Sequence, residues 1–306
     1  MYQLNRILVC VDLTHMDEDV IRYSSKIAEV VEADTVYFLH VAKDLNLPQE
    51  VADKYQEVLA PLDETIKHQV KTTVDKYYQK NDYTETHIDI LEGKPTDQLL
   101  KYAKRKDVDL IVMGKHTSAG KPKVKQGKIA ELSHCSILFV PKGADIKIDS
   151  AMVATDFSEF AKMALEQALH IKGKDDEVTV YAHHVYTVPQ GYHKTGKSYQ
   201  EFAEIMRGHA TRDAEKFFKK HKINKELCEV HYTLSDDDKV HDELNDFAKD
   251  KDVDMILIGS QGRTAAAAFL LGSVAEHLLH FDNHIPVFIV KKKNDNMGLL
   301  QALLKI

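Results

Sequence analysis

Three glycines and a serine near the end of the chain are spaced so that they could bind phosphate. Gly259 and Gly262 are separated by two residues, and Gly272 and Ser273 follow after nine more. Glycine has no side chain, so its backbone can approach a phosphate closely and can adopt a positive φ if one is needed. Gly272 and Ser273 open a predicted helix, whose free N–H groups and positive dipole end attract anions. The spacing therefore predicts a phosphate-binding loop.

Arg263 adds a positive charge to this loop, and its guanidinium could form charge-assisted hydrogen bonds with a phosphate oxygen. The loop is not of the Walker type, because no Gly-Lys-Ser/Thr ending is present. A Gly-x-x-Gly pair alone also occurs in ordinary strand-to-helix turns. The prediction therefore depends on the longer pattern, which follows an apolar run and precedes a helix-like segment.

The loop lies in the second of two similar halves. Three pairs of segments match in the same order: 6–12 (RILVCVD) with 150–156 (SAMVATD), 36–41 (VYFLHV) with 180–185 (VYAHHV), and 107–114 (DVDLIVMG) with 252–259 (DVDMILIG). The offset is 144 residues for the first two pairs and 145 for the third. Three matches in one order indicate a duplicated domain.

Each half is predicted to be a flavodoxin-like, doubly wound α/β domain with a five-stranded parallel sheet. Apolar runs rich in β-formers alternate with segments of helical periodicity, and strands this apolar are buried on both faces. The predicted strands are 7–11, 36–41, 87–91, 110–113 and 137–140 in the first half, and 152–154, 178–185, 229–234, 255–258 and 287–290 in the second. In the strand order 3-2-1-4-5, a ligand binds beyond the carboxyl ends of the first and fourth strands.

The residues after the first strand of the second half are the other candidates for this site. Ala154, Thr155 and Asp156 stand there, and the crevice would bring them opposite Gly259. Asp156 also suits a helix N-cap or a turn, so a structural and a ligand-binding interpretation are both open.

The glycine pattern, its preceding strand and the segment PVFIV at 286–290 resemble the universal stress protein family. The resemblance extends from Arg6 to about Lys291 and is sharpest between residues 254 and 290. It implies that the second half binds ATP or AMP, with or without Mg²⁺.

The resemblance also implies a role for particular residues. Val185 matches a position near the adenine, and Asp156 matches one near the base, the ribose or an associated metal. The positions that match ribose and phosphate contacts are Gly259, Gly262, Gly272, Ser273 and Val274.

The corresponding loop of the first half keeps the spacing but loses two key residues. Thr117 replaces the second glycine and Lys128 replaces the serine, so a Cβ lies where the backbone would approach phosphate. Ordinary nucleotide binding is not expected there, and we expect the first half to be mainly structural. The lysines of this loop could neutralise another anion, although a solvated basic loop is an equal alternative; they are Lys121, Lys123, Lys125 and Lys128.

No catalytic motif accompanies the predicted phosphate loop. The sequence has no Gly-x-Ser-x-Gly, no kinase signature and no carboxylate pair placed for acid–base work, and its histidines form no zinc motif. The leading hypothesis is a nucleotide-binding regulatory protein of the stress response, with at most slow ATP hydrolysis. The alternatives are an ATP pyrophosphatase or nucleotidyl transferase in which Asp156 helps to hold Mg²⁺, and an interaction scaffold without nucleotide.

The length and composition of the chain predict how it is divided into domains. A chain of 306 residues with 43% hydrophobic content suits two domains, and a Pro/Gly break near residue 145 predicts domains at 1–145 and 146–293. An amphipathic tail follows at 294–306. The three cysteines, far apart in sequence, are expected to be buried free thiols.

Charge and hydropathy limit the partners. A net charge of −7 without a basic block disfavours nucleic acid, and no signal peptide or membrane span is expected, which predicts a cytoplasmic protein. Strands 137–140 and 287–290 could pair within the chain as an internal pseudo-dimer. A homodimer and an unknown protein partner stay open.

Overall fold

The computed structural model describes residues 3–45, 62–116, 126–173, 177–236, 239–263 and 271–294. They belong to two compact units, one with residues 3–146 and 293–294, the other with residues 147–292. No helix in the described ranges is long and apolar enough to cross a membrane.

The first unit alternates strands and helices along the chain. Its strands are β1 (Arg6–Cys10), β2 (Thr35–Ala42), β3 (Glu85–Glu92), β4 (Leu110–Lys115) and β5 (Ser136–Pro141), and its described helices are α1 (Asp17–Val30), α2 (Leu62–Tyr77), α3 (Pro95–Arg105) and α4 (Gln126–Leu132). All neighbouring strands are parallel and pair in the order β3-β2-β1-β4-β5.

The second unit repeats this arrangement. Its strands are β6 (Ser150–Ala154), β7 (Thr179–Thr187), β8 (Glu229–Ser235), β9 (Met255–Gly259) and β10 (Val287–Val290), and its described α-helices are α5 (Glu159–Lys172), α6 (Tyr199–His221), α7 (Val240–Asp250) and α8 (Ser273–His280). The parallel order is β8-β7-β6-β9-β10. The doubly wound α/β fold predicted for both halves is confirmed.

The apolar runs of the sequence become the central strands. Every residue of β4, β5, β9 and β10 is buried, whereas β3 and β8, at the ends of the two strand orders, are half-buried over most of their length. Because β6 pairs with β7 on one side and β9 on the other, the strand order reverses at β6 and β9. Their carboxyl ends therefore border the crevice.

The repeated Asp-Val-Asp motif has a structural cause in each unit. Its first residue turns the chain out of the preceding helix with a left-handed backbone, φ 51° at Asp107 and φ 50° at Asp252. Its third residue accepts a backbone N–H group at the start of the first strand. Asp109 bonds the N–H of Arg6 at 2.9 Å, and Asp254 bonds that of Ser150 at 2.8 Å.

The first unit also includes residues from the far end of the chain. The Lys293 Nζ donates to Asp109 Oδ1 at 2.6 Å and to the Asp107 carbonyl at 3.0 Å. The Asn294 N–H donates to the His134 carbonyl at 2.8 Å. The predicted amphipathic tail lies outside the described residues from 295 onward.

The cysteines are free thiols, as expected, but only Cys135 is buried, while Cys10 and Cys228 are half-buried. Burial raises the pKa of Cys228 to about 11 and also raises the pKa of Cys10. Both thiols therefore stay protonated and weakly reactive at neutral pH.

Gly259 tests the packing of β9 against α5. A Cβ at this position would lie 2.6 Å from Phe160 Cβ and 2.8 Å from the Phe160 carbonyl carbon, so helix α5 would have to move. We expect Gly259→Ala to lower the free energy of unfolding by about 1–3 kcal/mol, measured by urea denaturation. The matched control is Gly208→Ala in α6, where the nearest atom is an Arg212 side-chain nitrogen at 3.6 Å and alanine should add about 0.5–1 kcal/mol. Equal stability of the two variants would contradict this account.

Candidate functional site

A cavity of about 570 Å³ lies at the carboxyl ends of β6, β7 and β9 in the second unit. All the predicted site residues are in its wall: Ala154, Thr155, Asp156, Val185, Gly259, Gly262, Arg263, Gly272, Ser273 and Val274. The wall also includes residues that sequence reasoning did not select, among them His183, His184, Val240 and Leu244. The structure therefore brings the two candidate segments together, while the role of each residue in binding stays a prediction.

Asp156 joins the loop after β6 to the loop after β9. Its Oδ1 accepts the N–H of Ser158 at 3.0 Å, and its Oδ2 accepts the N–H of Arg263 at 2.7 Å. The N-cap of α5 is Ser158, whose Oγ accepts from the Ala161 N–H at 3.2 Å. Of the structural alternatives for Asp156, the turn is therefore observed and the N-cap is not.

Gly259 at the end of β9 and Gly262 in the loop after it are required by close approach rather than by a left-handed backbone. Neither has a positive φ. A Cβ on Gly262 would lie 2.9 Å from Asp156 Oδ2, so a side chain there would push the carboxylate away from the loop. At Gly259 the close neighbour is Phe160 of α5, so packing already requires a glycine there, and its predicted contact with a ligand stays a prediction.

Helix α8 directs its first turn at the cavity. Gly272 is the N-cap, with φ −61° and ψ 140°, and, being a glycine, it makes no side-chain cap hydrogen bond to the first turn. The Gly272 N–H is itself bonded to the Ser260 carbonyl at 2.9 Å, which fixes the start of the helix. The N–H groups of the first turn of α8 could donate hydrogen bonds to the oxygens of a phosphate.

Arg263 lies at the rim of the cavity. Its Nη1 is 3.4 Å from Asp213 Oδ2 of α6, with both side chains part-exposed, and its guanidinium carbon lies 5.7 Å from the centre of the Phe157 ring. An exposed ion pair of this length contributes little stability. The guanidinium can therefore leave Asp213 for an anion in the cavity at small cost.

A histidine at the end of the second strand of each unit makes the same hydrogen bond. His184 Nδ1 is 2.7 Å from the Thr155 carbonyl, and His40 Nδ1 is 2.9 Å from the Val11 carbonyl. Each bond ties β7 or β2 to the chain just after the neighbouring strand. Burial lowers the pKa of His184, which favours the neutral ring. The repeated His-Val pair was the signal for this tie in the sequence.

His183 is a buried histidine that sequence reasoning did not assign to the site. It is 0% exposed, its Nε2 is 2.8 Å from Thr233 Oγ1, and its ring centre is 4.1 Å from that of Phe247. Burial lowers its pKa to about 4. The ring is therefore neutral at physiological pH.

The corresponding crevice of the first unit is nearly closed over its described residues. The cavity there is about 40 Å³. Asp17 lines it and accepts the N–H groups of Asp12 at 3.0 Å and Leu13 at 2.8 Å, and burial raises its pKa to about 7. Met16 lies against Gly114, with its Cε 3.3 Å from where a Cβ would stand.

Part of the first-half loop falls outside the described residues, including Thr117, Lys121, Lys123 and Lys125. Lys128 is described, in helix α4, and is exposed. Within the described ranges, no group of three or more His, Cys, Asp or Glu side chains could hold a metal ion.

The fold and the site define a doubly wound α/β protein with a glycine loop at its switch point. More particularly, the chain belongs to the universal stress protein family, whose model matches residues 3–141 and again 147–291. It is therefore a tandem member, as the sequence repeat predicted.

Individual relatives agree with this assignment. The chain is 33% identical over 153 residues to universal stress protein MJ0577 of Methanocaldococcus jannaschii, covering 46% of this chain and 93% of that protein. A universal stress protein structure from Archaeoglobus fulgidus is 20% identical, with a TM-score of 0.58, and the match covers 96% of this chain and 98% of that one. The functionally unknown protein PA1789 of Pseudomonas aeruginosa is 14% identical, with a TM-score of 0.61 over 99% and 97% of the two chains. The two structures show a shared fold.

Acid should destabilise the second unit through His183. Its pKa is about 4 in the fold against an ordinary value of 6.5, so folding favours the neutral ring. This contribution is complete above pH 6.5 and is lost as the pH falls toward 4, by about 3 kcal/mol in all. Urea denaturation between pH 4 and 7 measures the loss, and His183→Leu should make the dependence shallower. If the natural protein and His183→Leu lose stability equally as the pH falls, His183 is not the cause of the loss.

Proposed function

We propose that the second half binds an adenine nucleotide, ATP or AMP, and that the protein is a cytoplasmic regulator of the stress response. The observation that carries this proposal is the cavity of about 570 Å³ whose wall includes the glycine loop, the start of α8 and Arg263. Its counterpart in the first half, over the described residues, is about 40 Å³. A cavity of the larger size suits a small-molecule ligand.

The two sides of the cavity suit different parts of a nucleotide. The side formed by Gly262, Arg263 and the first turn of α8 offers N–H groups and a positive charge, which suit phosphates. The opposite side, formed by β7 and α7, includes Val185, Val240 and Leu244, which suit a flat base. A nucleotide would therefore lie across the ends of β6 and β9.

Mg²⁺ fits this site only as a companion of the phosphates. Asp156 is the carboxylate of the described wall, and both of its oxygens already accept backbone N–H groups. An ion bound here would take most of its ligands from phosphate oxygens and water.

Regulation would pass through Arg263 and α6. When the guanidinium bonds a phosphate, it leaves Asp213, 3.4 Å away in the present arrangement, and α6 loses that link to the loop. Nucleotide occupancy thereby changes a helix surface that a protein partner could contact. Pairing of residues 137–140 with 287–290 as an internal pseudo-dimer, and homodimer formation, stay predictions.

Gly262→Asp should abolish nucleotide binding. The new side chain would start 2.9 Å from Asp156 Oδ2 and place a second carboxylate where phosphate would bind. We expect at least a ~100-fold loss of ATP affinity, about 2.7 kcal/mol, measured by isothermal titration calorimetry. Gly208→Asp, at a half-buried position of α6 outside the described cavity wall, is the matched control and should bind normally. Circular dichroism would check that both variants fold, and unchanged ATP affinity in folded Gly262→Asp would overturn the proposed site.

A binding role also predicts little turnover. With ATP and Mg²⁺ we expect fewer product molecules than protein sites over one hour, because Asp156 is occupied in holding the loop. Chromatographic assay of ADP, AMP and pyrophosphate measures this. Many product equivalents per site, lost in Gly262→Asp, would favour the enzyme alternative instead.

A further inference from the structure

One ring nitrogen of His183, Nδ1, is buried and forms no hydrogen bond with the described residues. Its Nε2 is bonded to Thr233, but its Nδ1 has no hydrogen-bond partner among the described residues. A buried polar atom without a partner lowers stability, because it gave up its bond to water on folding. Such an atom therefore needs an explanation.

The first half shows that the fold does not require a histidine here. At the offset of 144 residues, His183 corresponds to Leu39. Both side chains are buried, at 0% and 2% exposure, and both lie one residue before the histidine that ties the strand. An apolar side chain thus satisfies the packing in the unit whose crevice is closed, and the polar one occurs in the unit with the large cavity.

His183 is one of the residues of the cavity wall. It lies on β7 two residues before Val185, on the same face of the strand, and packs on Phe247 of α7. This is the apolar side of the cavity, opposite the N–H groups of α8 and the charge of Arg263. In the proposed binding mode, this side of the cavity holds the base rather than the phosphates.

We infer that His183 Nδ1 forms a hydrogen bond with a polar edge of the bound base and so determines base specificity. This inference rests on the proposed nucleotide binding. Because Nδ1 is buried, the ring must turn toward the cavity to make the bond. Thr233 can follow, since a hydroxyl donates and accepts over a wide range of directions. A neutral imidazole can donate or accept at Nδ1, and the purine edge offers both kinds of partner.

The sharpest test compares side chains that replace one ring nitrogen at a time. The amide of asparagine reaches roughly the position of Nδ1, and that of glutamine reaches roughly that of Nε2. By titration with ATP, we expect His183→Leu and His183→Gln to lose ~10- to 100-fold in affinity, and His183→Asn to stay within about 3-fold of the natural protein. The matched control is His231→Leu, which should bind ATP normally. His231 lies on β8 and packs on Phe247 of α7, but it is outside the described cavity wall.

A second readout needs no substitution. Long-range ¹H–¹⁵N spectra of the imidazoles should show the Nδ1 resonance of His183 shifting on addition of ATP, whereas a purely structural histidine would not respond.

His183→Leu should also unfold at an equal or higher urea concentration without nucleotide, because it removes the buried unpartnered atom.

The outcomes separate this inference from the proposed function. If the natural protein binds ATP, His183→Leu binds it equally tightly and the Nδ1 resonance does not move, the inference about His183 is wrong and nucleotide binding stands. If the natural protein binds no adenine nucleotide, both are wrong. If His183→Leu fails to fold, the asparagine and glutamine variants and the spectrum of the natural protein decide.

Discussion

The second unit depends on one carboxylate that joins two loops. Asp156 accepts backbone N–H groups from its own loop and from Arg263 beyond β9. A parallel sheet brings the carboxyl ends of β6 and β9 side by side, but it does not fix the loops that leave them. The bond from Asp156 positions the glycine loop, and the absence of a side chain at Gly262 lets the two loops meet. The cavity is the space that this arrangement leaves open.

The two halves show how one fold can keep or lose such a space. Both keep the histidine tie from the second strand to the chain after the first, at His40 and His184. They differ at the start of the following helix, where Asp17 of the first half corresponds to Ala161 of the second. The Asp17 carboxylate bonds the loop N–H groups and occupies the crevice, whereas the Ala161 methyl group lines the open cavity. The half with the small alanine side chain at this position has an accessible cavity, and the half with the aspartate has a nearly closed one.

The sequence was sufficient to predict most of the fold and the outline of the site. Runs such as 255–258 and 287–290 are apolar because they are buried on both faces, and this signal is local. The glycine spacing also revealed the loop, but it did not reveal that Gly259 is needed for packing, because the contact of β9 with Phe160 joins residues almost 100 positions apart. The unpartnered Nδ1 of His183 and the position of the Asp17 carboxylate in the crevice of the first half were missed for the same reason. Both depend on neighbours that only the folded chain brings together.

The anchoring of Lys293 has a consequence for the order of assembly. A ribosome releases the first half long before it reaches the end of the chain, and domains generally fold as they emerge. The first unit nevertheless contains Lys293 and Asn294, bonded to Asp109 and His134, and these residues are made only after the whole second unit, residues 147–292. The Asp109 carboxylate thus lacks its ammonium partner throughout synthesis of the second half. The domain that emerges first is therefore completed only after the second domain has been synthesised.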